Sequence, residues 1–479
     1  SNSPNGADPN TAVIVHLQQQ EPGWSKRWRS ALLAATPGAL IIPISVAGTW
    51  FWPFERAIDP TNFALRMERV LKSVPFIDGH NDFSWLLHVE LHNKIYDGSF
   101  DPNERLLGYT DITRRQQGKM GGQFRSVHVH CDATQNYFED RSWVVRDTLE
   151  QIDIAKRFWY PGVFTYCETP ACARAPYVRG KIESMLEIEG GHQLGGSIAA
   201  VRQAYALRIR YITPTHNCGN AWATSASTVA AGVFDKELTV FGHSYVREMN
   251  RLGMMIDLSH VSHATMRDVL SITQTLVIFS YSGAYSVTSH LRSVPDDGLR
   301  NLHRNGGIVM AVIVNRFLNM EDPSAQYVRL DALVTIHDIA DHIWHLAEVV
   351  GWEHVGIRSD FKGMPFTPSG FEGVSKYPNL IELVMARGAT DEKIHGLVGD
   401  NIIRVWGNIQ RRGEEIRAEG RKPVEEEREG RVWHRGYKSS PYMYRRTRER
   451  AAEEGWGQPN QSSVAGVSTT RLLKRRSTY

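Results

Sequence analysis

Eight short apolar runs, separated by amphipathic stretches, constrain the fold between Val74 and Gln410. The amphipathic stretches carry apolar residues three and four positions apart, a spacing that predicts helices; examples are 143–155, 246–252, 264–272 and 336–350. The apolar runs read as strands, at 76–82, 121–129, 182–189, 210–216, 253–260, 276–282, 307–315 and 354–361. Strands that alternate with helices form parallel sheets, and eight such units close into a barrel. We therefore predict an α/β fold, a (β/α)8 TIM-type barrel, with a doubly wound open sheet as the alternative.

Several of the predicted strands end in side chains that bind metal ions. His80 and Asp82 end the first strand, and residues two apart in a strand point to the same side. Glu189 and His260 end two later strands. The active sites of such barrels lie at the carboxyl ends of the strands, so these groups are expected to converge on at least one divalent ion. Nitrogen and oxygen ligands favour Zn²⁺, with Mn²⁺ or Fe²⁺ as alternatives.

Four further residues at these strand ends or in the loops beside them are candidates for chemistry. His216, Arg292 and Asp360 could bind charged substrate groups or move protons, although each taken alone is more simply a hydrogen-bonded structural residue. The strand 276–282 delivers Tyr281, a weaker metal ligand than histidine near neutral pH, because a phenol has a pKa of about 10. The number of metal ions therefore depends on what Tyr281 does.

The chain ends differ in composition from the barrel, which we place at 67–410. Residues 30–54 form an uncharged run of 25 residues behind a basic flank in 1–29, which predicts a transmembrane signal anchor. A signal peptide or a buried hairpin is the alternative. Residues 411–479 contain 17 Lys and Arg against 10 Asp and Glu, so this tail is basic and predicted to be partly disordered. The net charge of +3 does not suggest a nucleic-acid partner.

The four cysteines allow two disulfides if the barrel is translocated across a membrane. Sequence alone leaves three pairings open.

Ordered motifs between about Val70 and Gln410 resemble the membrane dipeptidase (renal dipeptidase, peptidase M19) family, in its fungal-type branch. The motifs are Ile77-Asp-Gly-His-Asn-Asp82, Gly121-Gly-Gln-Phe124, Ile188-Glu-Gly-Gly-His192, Thr215-His-Asn-Cys218, Asn250-Arg-Leu-Gly253, Asp257-Leu-Ser-His-Val-Ser262 and Val294-Pro-Asp-Asp297. The resemblance implies a zinc-dependent barrel that hydrolyses dipeptides and tolerates a D-residue on the carboxyl side.

The resemblance also implies metal roles for individual residues. His80 and Asp82 resemble the ligands of a first zinc ion, and Glu189 resembles the carboxylate that bridges two ions. His260 resembles a ligand of the second ion, whose remaining histidine ligand is replaced here by Tyr281. Two zinc ions fit the family pattern, whereas this chain is expected to bind the second ion weakly or not at all.

Substrate roles follow in the same way. His216 resembles the group that steadies the scissile carbonyl, and Arg292 the group that holds the substrate carboxylate. Asp360 resembles the proton shuttle. Cys131 and Cys218 resemble a pair that forms a disulfide in relatives.

Three other residues depart from the family pattern near the expected site. Glu187 and Arg358 stand where relatives carry glycine, two residues before Glu189 and Asp360, so we expect both to point inward and to pair with each other. The alternative is that one of them points outward. Lys362 replaces an acidic residue, and its ammonium group is expected to discourage a second metal ion.

These observations predict a zinc-dependent dipeptidase, impaired if the second ion is lost. The alternative is a catalytically silent protein that binds a peptide-like ligand or partner. The expected substrate is a dipeptide or a small amide-bearing compound, and a homodimer is a candidate assembly. The predicted anchor makes this a single-pass membrane protein with the barrel on the lumenal or extracellular side.

Overall fold

The computed structural model describes residues 59–98, 100–106, 108–131, 142–158, 164–174, 181–318 and 334–431, together with 445, 446 and 449. The predicted anchor at 30–54 and most of the predicted tail lie outside these residues. Among the helices within them, none is both long enough and apolar enough to cross a bilayer.

A sheet of parallel strands forms the centre of the molecule. Within the described residues its strands are β1 Phe76–Asn81, β2 Met120–Val127, β3 Phe164–Tyr166, β4 Ile182–Ile188, β5 Ile209–Ile212, β6 Met255–Asp257, β7 Val277–Ser282, β8 Ile308–Ala311 and β9 Val355–Ile357. The order is β1-β2-β4-β5-β6-β7-β8-β9, and β3 pairs with β4 outside this path. All eight predicted strands are present, and the short β3 is an addition. This confirms the predicted α/β barrel.

Side chains that alternate along the strands fill the barrel interior. Phe124 stands opposite Met185, and Tyr211 opposite Met255, and all four belong to one buried cluster. Gly79 leaves the space that Met310 fills, because a Cβ atom at Gly79 would lie 2.5 Å from the Met310 sulfur. The opposite faces of the strands pack against the surrounding helices in a second, larger cluster.

Side-chain hydrogen bonds join β9 to β1 and so bring the two ends of the sheet together. Ser359 donates from its backbone N–H to Asp78 Oδ1 (2.8 Å) and from its hydroxyl to Asp78 Oδ2 (2.6 Å). Asp257 and Ser280 repeat this arrangement between β6 and β7, at 2.8 and 2.6 Å. These buried carboxylates brace the barrel directly below its carboxyl end.

The helices lie outside the sheet and span Phe63–Ser73, Phe83–Leu91, Ile112–Gln117, Ser142–Arg157, Ile198–Ala206, Ala226–Ala230, Val240–Leu252, His263–Ile272, Asp296–Asn305, Asn315–Leu318, Ile336–Val350, Tyr377–Ala386, Asp391–His395 and Asn401–Ala418. The helix Ile336–Val350 has the predicted limits, because Thr335 and Asp338 form a capping box at its start and Gly351 (φ 90°) ends it. The final helix continues beyond residue 410, the predicted end of the barrel, and Ile416 in its last turn is buried.

Candidate metal and substrate site

The predicted site residues surround one cavity of about 200 Å³ at the carboxyl ends of the strands. The cavity is lined by Asp82, Glu189, His216, His260, Tyr281, Arg292 and Asp360, among others. His80 is fully buried directly behind them. Two of the residues, His260 and Asp360, have left-handed backbone angles (φ 67° and 66°). Such angles are uncommon for residues with a side chain and concentrate at functional sites.

Three ligand-type groups converge at the end of β1. Nε2 of His80 lies 3.2 Å from Oδ1 of Asp82 and 3.8 Å from Oε2 of Glu189. Ligands around a tetrahedral zinc ion with bonds of ~2.0–2.2 Å are themselves separated by about 3.3–3.6 Å. The three side chains therefore have the chemistry and nearly the spacing of a divalent metal site.

The carboxylate of Glu187 lies against the far side of the His80 ring. Its Oε1 lies 2.7 Å from Nδ1 of His80, on the opposite side of the ring from Asp82 and Glu189. A carboxylate that holds the second nitrogen of a histidine is a common support for metal-binding histidines. Burial and Arg358 lower the pKa of His80, but the carboxylates of Glu187, Asp82 and Glu189 outweigh them and raise it well above its usual value. Positive charge is therefore stabilised at this point.

His128 belongs to the same cluster but was not among the residues predicted from the sequence. Its Nδ1 lies 3.2 Å from Oε2 of Glu189, and the side chain lines the cavity. Burial opposes protonation, yet the hydrogen bond and charge of Glu189 raise the pKa of His128. The repeat His128-Val-His130 after β2 has the same spacing as His80-Asn-Asp82, and this signal could have identified it.

The hydroxyl of Tyr281 lies between Glu189 and His260. It donates to Oε1 of Glu189 and is hydrogen-bonded to Nε2 of His260. Nε2 of His260 is itself 3.2 Å from Oε1 of Glu189. A buried phenol thus occupies the space between the two residues that the family pattern assigns to a second metal ion.

The predicted Glu187–Arg358 pair is wrong, although both side chains point inward and are fully buried. Glu187 contacts His80, whereas Nη2 of Arg358 donates to Oδ1 of Asp360 at 2.8 Å. Each of these long side chains contacts the group nearest to its charged end that has the opposite charge or can form a hydrogen bond with it. The guanidinium of Arg358 also packs 3.1 Å from the centre of the Tyr281 ring.

Arg292 and Asp360 are buried ionisable groups on the cavity wall. Nη1 and Nη2 of Arg292 have no hydrogen-bond partner among the described residues. Burial lowers the pKa of Arg292 to about 9, although Glu189 and Asp360 act in the opposite direction. Burial raises the pKa of Asp360 to about 6, and Arg358 limits the rise.

His216 stands beside Glu189, with its Nε2 atom 3.9 Å from Oε1. Burial lowers the pKa of His216 well below its usual value, so this histidine is neutral near pH 7. Cys131 and Cys218 form a disulfide that ties the segment after β2 to the segment carrying His216, as expected. A second disulfide joins Cys167 and Cys172.

Lys362 also lines the cavity, but its ammonium group lies against Gly108. Asp111 and Glu90 act electrostatically on this lysine there, and burial lowers its pKa. The cation that contacts Tyr281 directly is Arg358. The ammonium group of Lys362 therefore does not lie next to Tyr281, the position that we expected for it from the sequence.

Comparisons with known proteins identify the family of this chain. Residues 65–420 match the family model described as membrane dipeptidase (peptidase family M19). A Schizosaccharomyces pombe protein named as an uncharacterized dipeptidase is 43% identical over 376 residues, which cover 77% of this chain and 88% of that protein.

Two solved structures show the same fold. The probable dipeptidase PvdM from Pseudomonas aeruginosa has a TM-score of 0.63 at 18% identity, covering 74% of this chain and all of that one. A metallo peptidase from Rhodobacter sphaeroides, solved with a phosphinate mimic of L-Ala-D-Ala, has a TM-score of 0.58 at 22% identity, covering 70% of this chain and 99% of that one. The family match covers most of the chain, and the chain belongs to the membrane dipeptidase family of metallopeptidases.

Proposed function

We propose that the protein hydrolyses the peptide bond of dipeptides with a divalent metal ion, Zn²⁺, held by His80, Asp82 and Glu189. The observation that carries this proposal is the convergence of these three groups: Nε2 of His80 lies 3.2 Å from Asp82 and 3.8 Å from Glu189, and both carboxylates line the cavity. Two carboxylates and a supported imidazole suit Zn²⁺, with Mn²⁺ and Fe²⁺ as alternatives. A bound ion would supply Lewis acidity toward the scissile carbonyl and favour deprotonation of the attacking water.

Arg292 would bind the carboxylate at the end of the substrate. Its two terminal nitrogens lack hydrogen-bond partners among the described residues, and the side chain lines the cavity. A buried guanidinium matches a carboxylate with two parallel hydrogen bonds. The cavity of about 200 Å³ is smaller than the ~300–1,000 Å³ typical of larger ligands. This size supports a dipeptide rather than a longer chain.

His216 and Asp360 would assist the reaction from the cavity wall. The neutral His216 can donate a hydrogen bond to the scissile carbonyl, beside Glu189. The carboxyl of Asp360 can accept a proton from the attacking water and pass it to the leaving amine. Arg358 donates a hydrogen bond to Oδ1 of Asp360 and would hold this carboxyl in place at the cavity wall.

The proposal also includes the location of the barrel relative to a membrane. The apolar run at 30–54 supports a single-pass anchor with a lumenal or extracellular barrel. Both disulfides in the described residues support the same side of the membrane, because disulfides persist in oxidising compartments. The homodimer stays a prediction.

Hydrolysis of Gly–D-Ala before and after metal removal tests the function. The purified full chain should lose turnover in a chelator and regain it with Zn²⁺. His80→Ala should lose both zinc and turnover, whereas His337→Ala, at an exposed histidine in the helix Ile336–Val350, should lose neither. Turnover that persists without any metal would contradict the proposal.

The second candidate is a binding protein without catalysis. The Tyr281 hydroxyl favours it, because it occupies the space between Glu189 and His260. This candidate predicts that Gly–D-Ala binds in calorimetry to the zinc-loaded protein but is not cleaved. Measurable cleavage by the wild type, abolished by His80→Ala, would rule it out.

A further inference from the structure

We propose that the centre holds a single metal ion, on the Oε2 side of Glu189, and that Arg358 and Tyr281 replace a second ion on the Oε1 side. This inference rests on the proposed metal-dependent function but makes a separate claim, the number of ions. The two carboxylate oxygens of Glu189, Oε1 and Oε2, have different neighbours, and this difference leads us to propose one ion and not two.

The Oε2 side of Glu189 is arranged to receive a cation. Nε2 of His80 and the carboxylate of Asp82 face the same point, and Glu187 holds the far nitrogen of His80 at 2.7 Å. Three carboxylates therefore lie around His80, and the His128 imidazole is the further group 3.2 Å from Oε2 of Glu189. Excess negative charge in a buried place is stable only with a compensating cation.

The Oε1 side is already filled by a hydrogen-bonded hydroxyl. Tyr281 is 3% exposed, and its hydroxyl contacts both Glu189 and His260. A metal ion bound to Oε1 and His260 would need the space of that hydroxyl. It would also have to break two buried hydrogen bonds. The phenol of Tyr281 therefore competes with a second metal ion for this position and does not act as its ligand.

Positive charge from the protein reinforces this exclusion. Two guanidinium groups lie close to the Tyr281 ring, Arg358 at 3.1 Å and Arg292 at 4.7 Å from its centre. Both arginines are buried, so water screens them little. A divalent ion beside the Tyr281 hydroxyl would be repelled by both. Arg358 and Arg292 also balance the negative charges of Asp360 and Glu189, which a second metal ion would otherwise neutralise.

Glu187 and Arg358 contact different residues of the centre. Glu187 lies against His80, where an ion is expected, and Arg358 lies against the ring of Tyr281, where it is not, although the charge of Arg358 also acts on His80. Tyr281 is then a positioning residue: its hydroxyl holds Oε1 and leaves Oε2 facing His80 and Asp82.

Counting zinc per chain by mass spectrometry, after equilibration with excess Zn²⁺ and gel filtration, tests the proposal without an activity assay. The variant His80→Ala/Asp82→Ala reports zinc bound elsewhere, and its count is subtracted. We expect one ion in the wild type and one in Tyr281→Phe, which removes the hydroxyl but supplies no ligand. His260→Ala should also retain one, because His260 is not a ligand in this account.

Restoring the second position should require two changes. Tyr281→His alone should still bind one ion, because Arg358 remains, whereas Tyr281→His/Arg358→Gly should bind two. Two ions in the folded wild type, or loss of one in His260→Ala, would overturn the single-ion proposal and leave the dipeptidase function standing. A wild type that binds no zinc and cleaves no dipeptide would overturn the function itself. The counts for the wild type and His260→Ala decide the matter even if the double variant does not fold.

Discussion

The guanidinium of Arg358 lies 3.1 Å from the centre of the Tyr281 ring, and both side chains are buried at the carboxyl end of the barrel. A cation at this distance is attracted by the negative face of the aromatic ring, and the attraction grows when water is excluded. The contact links two residues that are distant in sequence and gives the region beside Glu189 a permanent positive charge. The positive charge of Arg358 explains how a tyrosine can replace a metal ligand here without leaving the negative charge of the nearby carboxylates unbalanced.

Removing the charge of Glu187 should weaken metal binding. Glu187→Gln keeps the shape of the side chain but loses the carboxylate that holds His80 at 2.7 Å, so we expect zinc affinity to fall by about 10–100-fold. Competition with a chromophoric chelator measures the dissociation constant. Glu183→Gln is a matched control on the same strand, because Glu183 lies near the other end of β4. Equal affinities in the two variants would refute the supporting role of Glu187.

Removing Arg292 should impair substrate binding and spare the metal. Loss of hydrogen bonds to a charged group costs about 1.5–3 kcal/mol, so Arg292→Ala should raise KM for Gly–D-Ala by roughly 10–150-fold. Zinc content should not change. Arg316→Ala is the control, because Arg316 also lines the cavity but is exposed and screened. A dipeptide amide, which lacks the carboxylate, should show no difference between Arg292→Ala and the wild type; a difference as large as that for the acid would argue against the assignment.

The energetic partner of Arg358 should be Asp360. A double-mutant cycle with Arg358→Ala and Asp360→Asn should give a coupling of about 1–3 kcal/mol in urea unfolding, because the two groups share a buried hydrogen bond at 2.8 Å. The corresponding cycle of Arg358→Ala with Glu187→Gln should give a clearly smaller value. The pairing expected from the sequence alone predicts the reverse order, so the two cycles distinguish them.

Glu183 should make stability depend on pH. Burial raises the pKa of its carboxyl to about 8, above the ~4.3 of an unfolded chain. The folded state therefore holds a proton that the unfolded state releases, and the contribution to stability is lost as the pH rises from about 4.5 through 8. Each pKa unit corresponds to about 1.4 kcal/mol, so Glu183→Gln should be more stable than the wild type by up to about 5 kcal/mol at pH 9 and nearly equal to it at pH 4.5. A constant difference across this range in urea unfolding would show that titration of Glu183 is not responsible.

The barrel was predictable because its strands have strong local signals. Most of the eight predicted runs are rich in Val, Ile, Met or Phe, and burial on both faces of the strands maintains that pattern. The strand Phe164–Tyr166 was missed because three residues, one of them a threonine, are too few to show a periodicity. The final helix continues to Ala418 because Ile416 still packs inward, although the composition changes near residue 411.

The sequence predicted most of the residues that lie at the site but not which of their side chains contact each other. Strand ends bring His80, Glu189 and His260 together whatever their rotamers, since the topology fixes their backbone positions. The partners of Glu187 and Arg358 depend on how far two long side chains reach, which spacing along the chain does not determine. His128 was missed because the predicted strand extended to residue 129, so it was read as part of the strand rather than as its functional end.

Anomalous X-ray scattering from zinc-loaded crystals is the most direct test of the central claim, that His80, Asp82 and Glu189 capture a divalent ion. Data collected on either side of the zinc absorption edge should show one peak at the barrel mouth. It should lie about 2.0–2.2 Å from Nε2 of His80 and from oxygens of Asp82 and Glu189. No peak at that position, or a peak held by His260 without His80, would contradict the account.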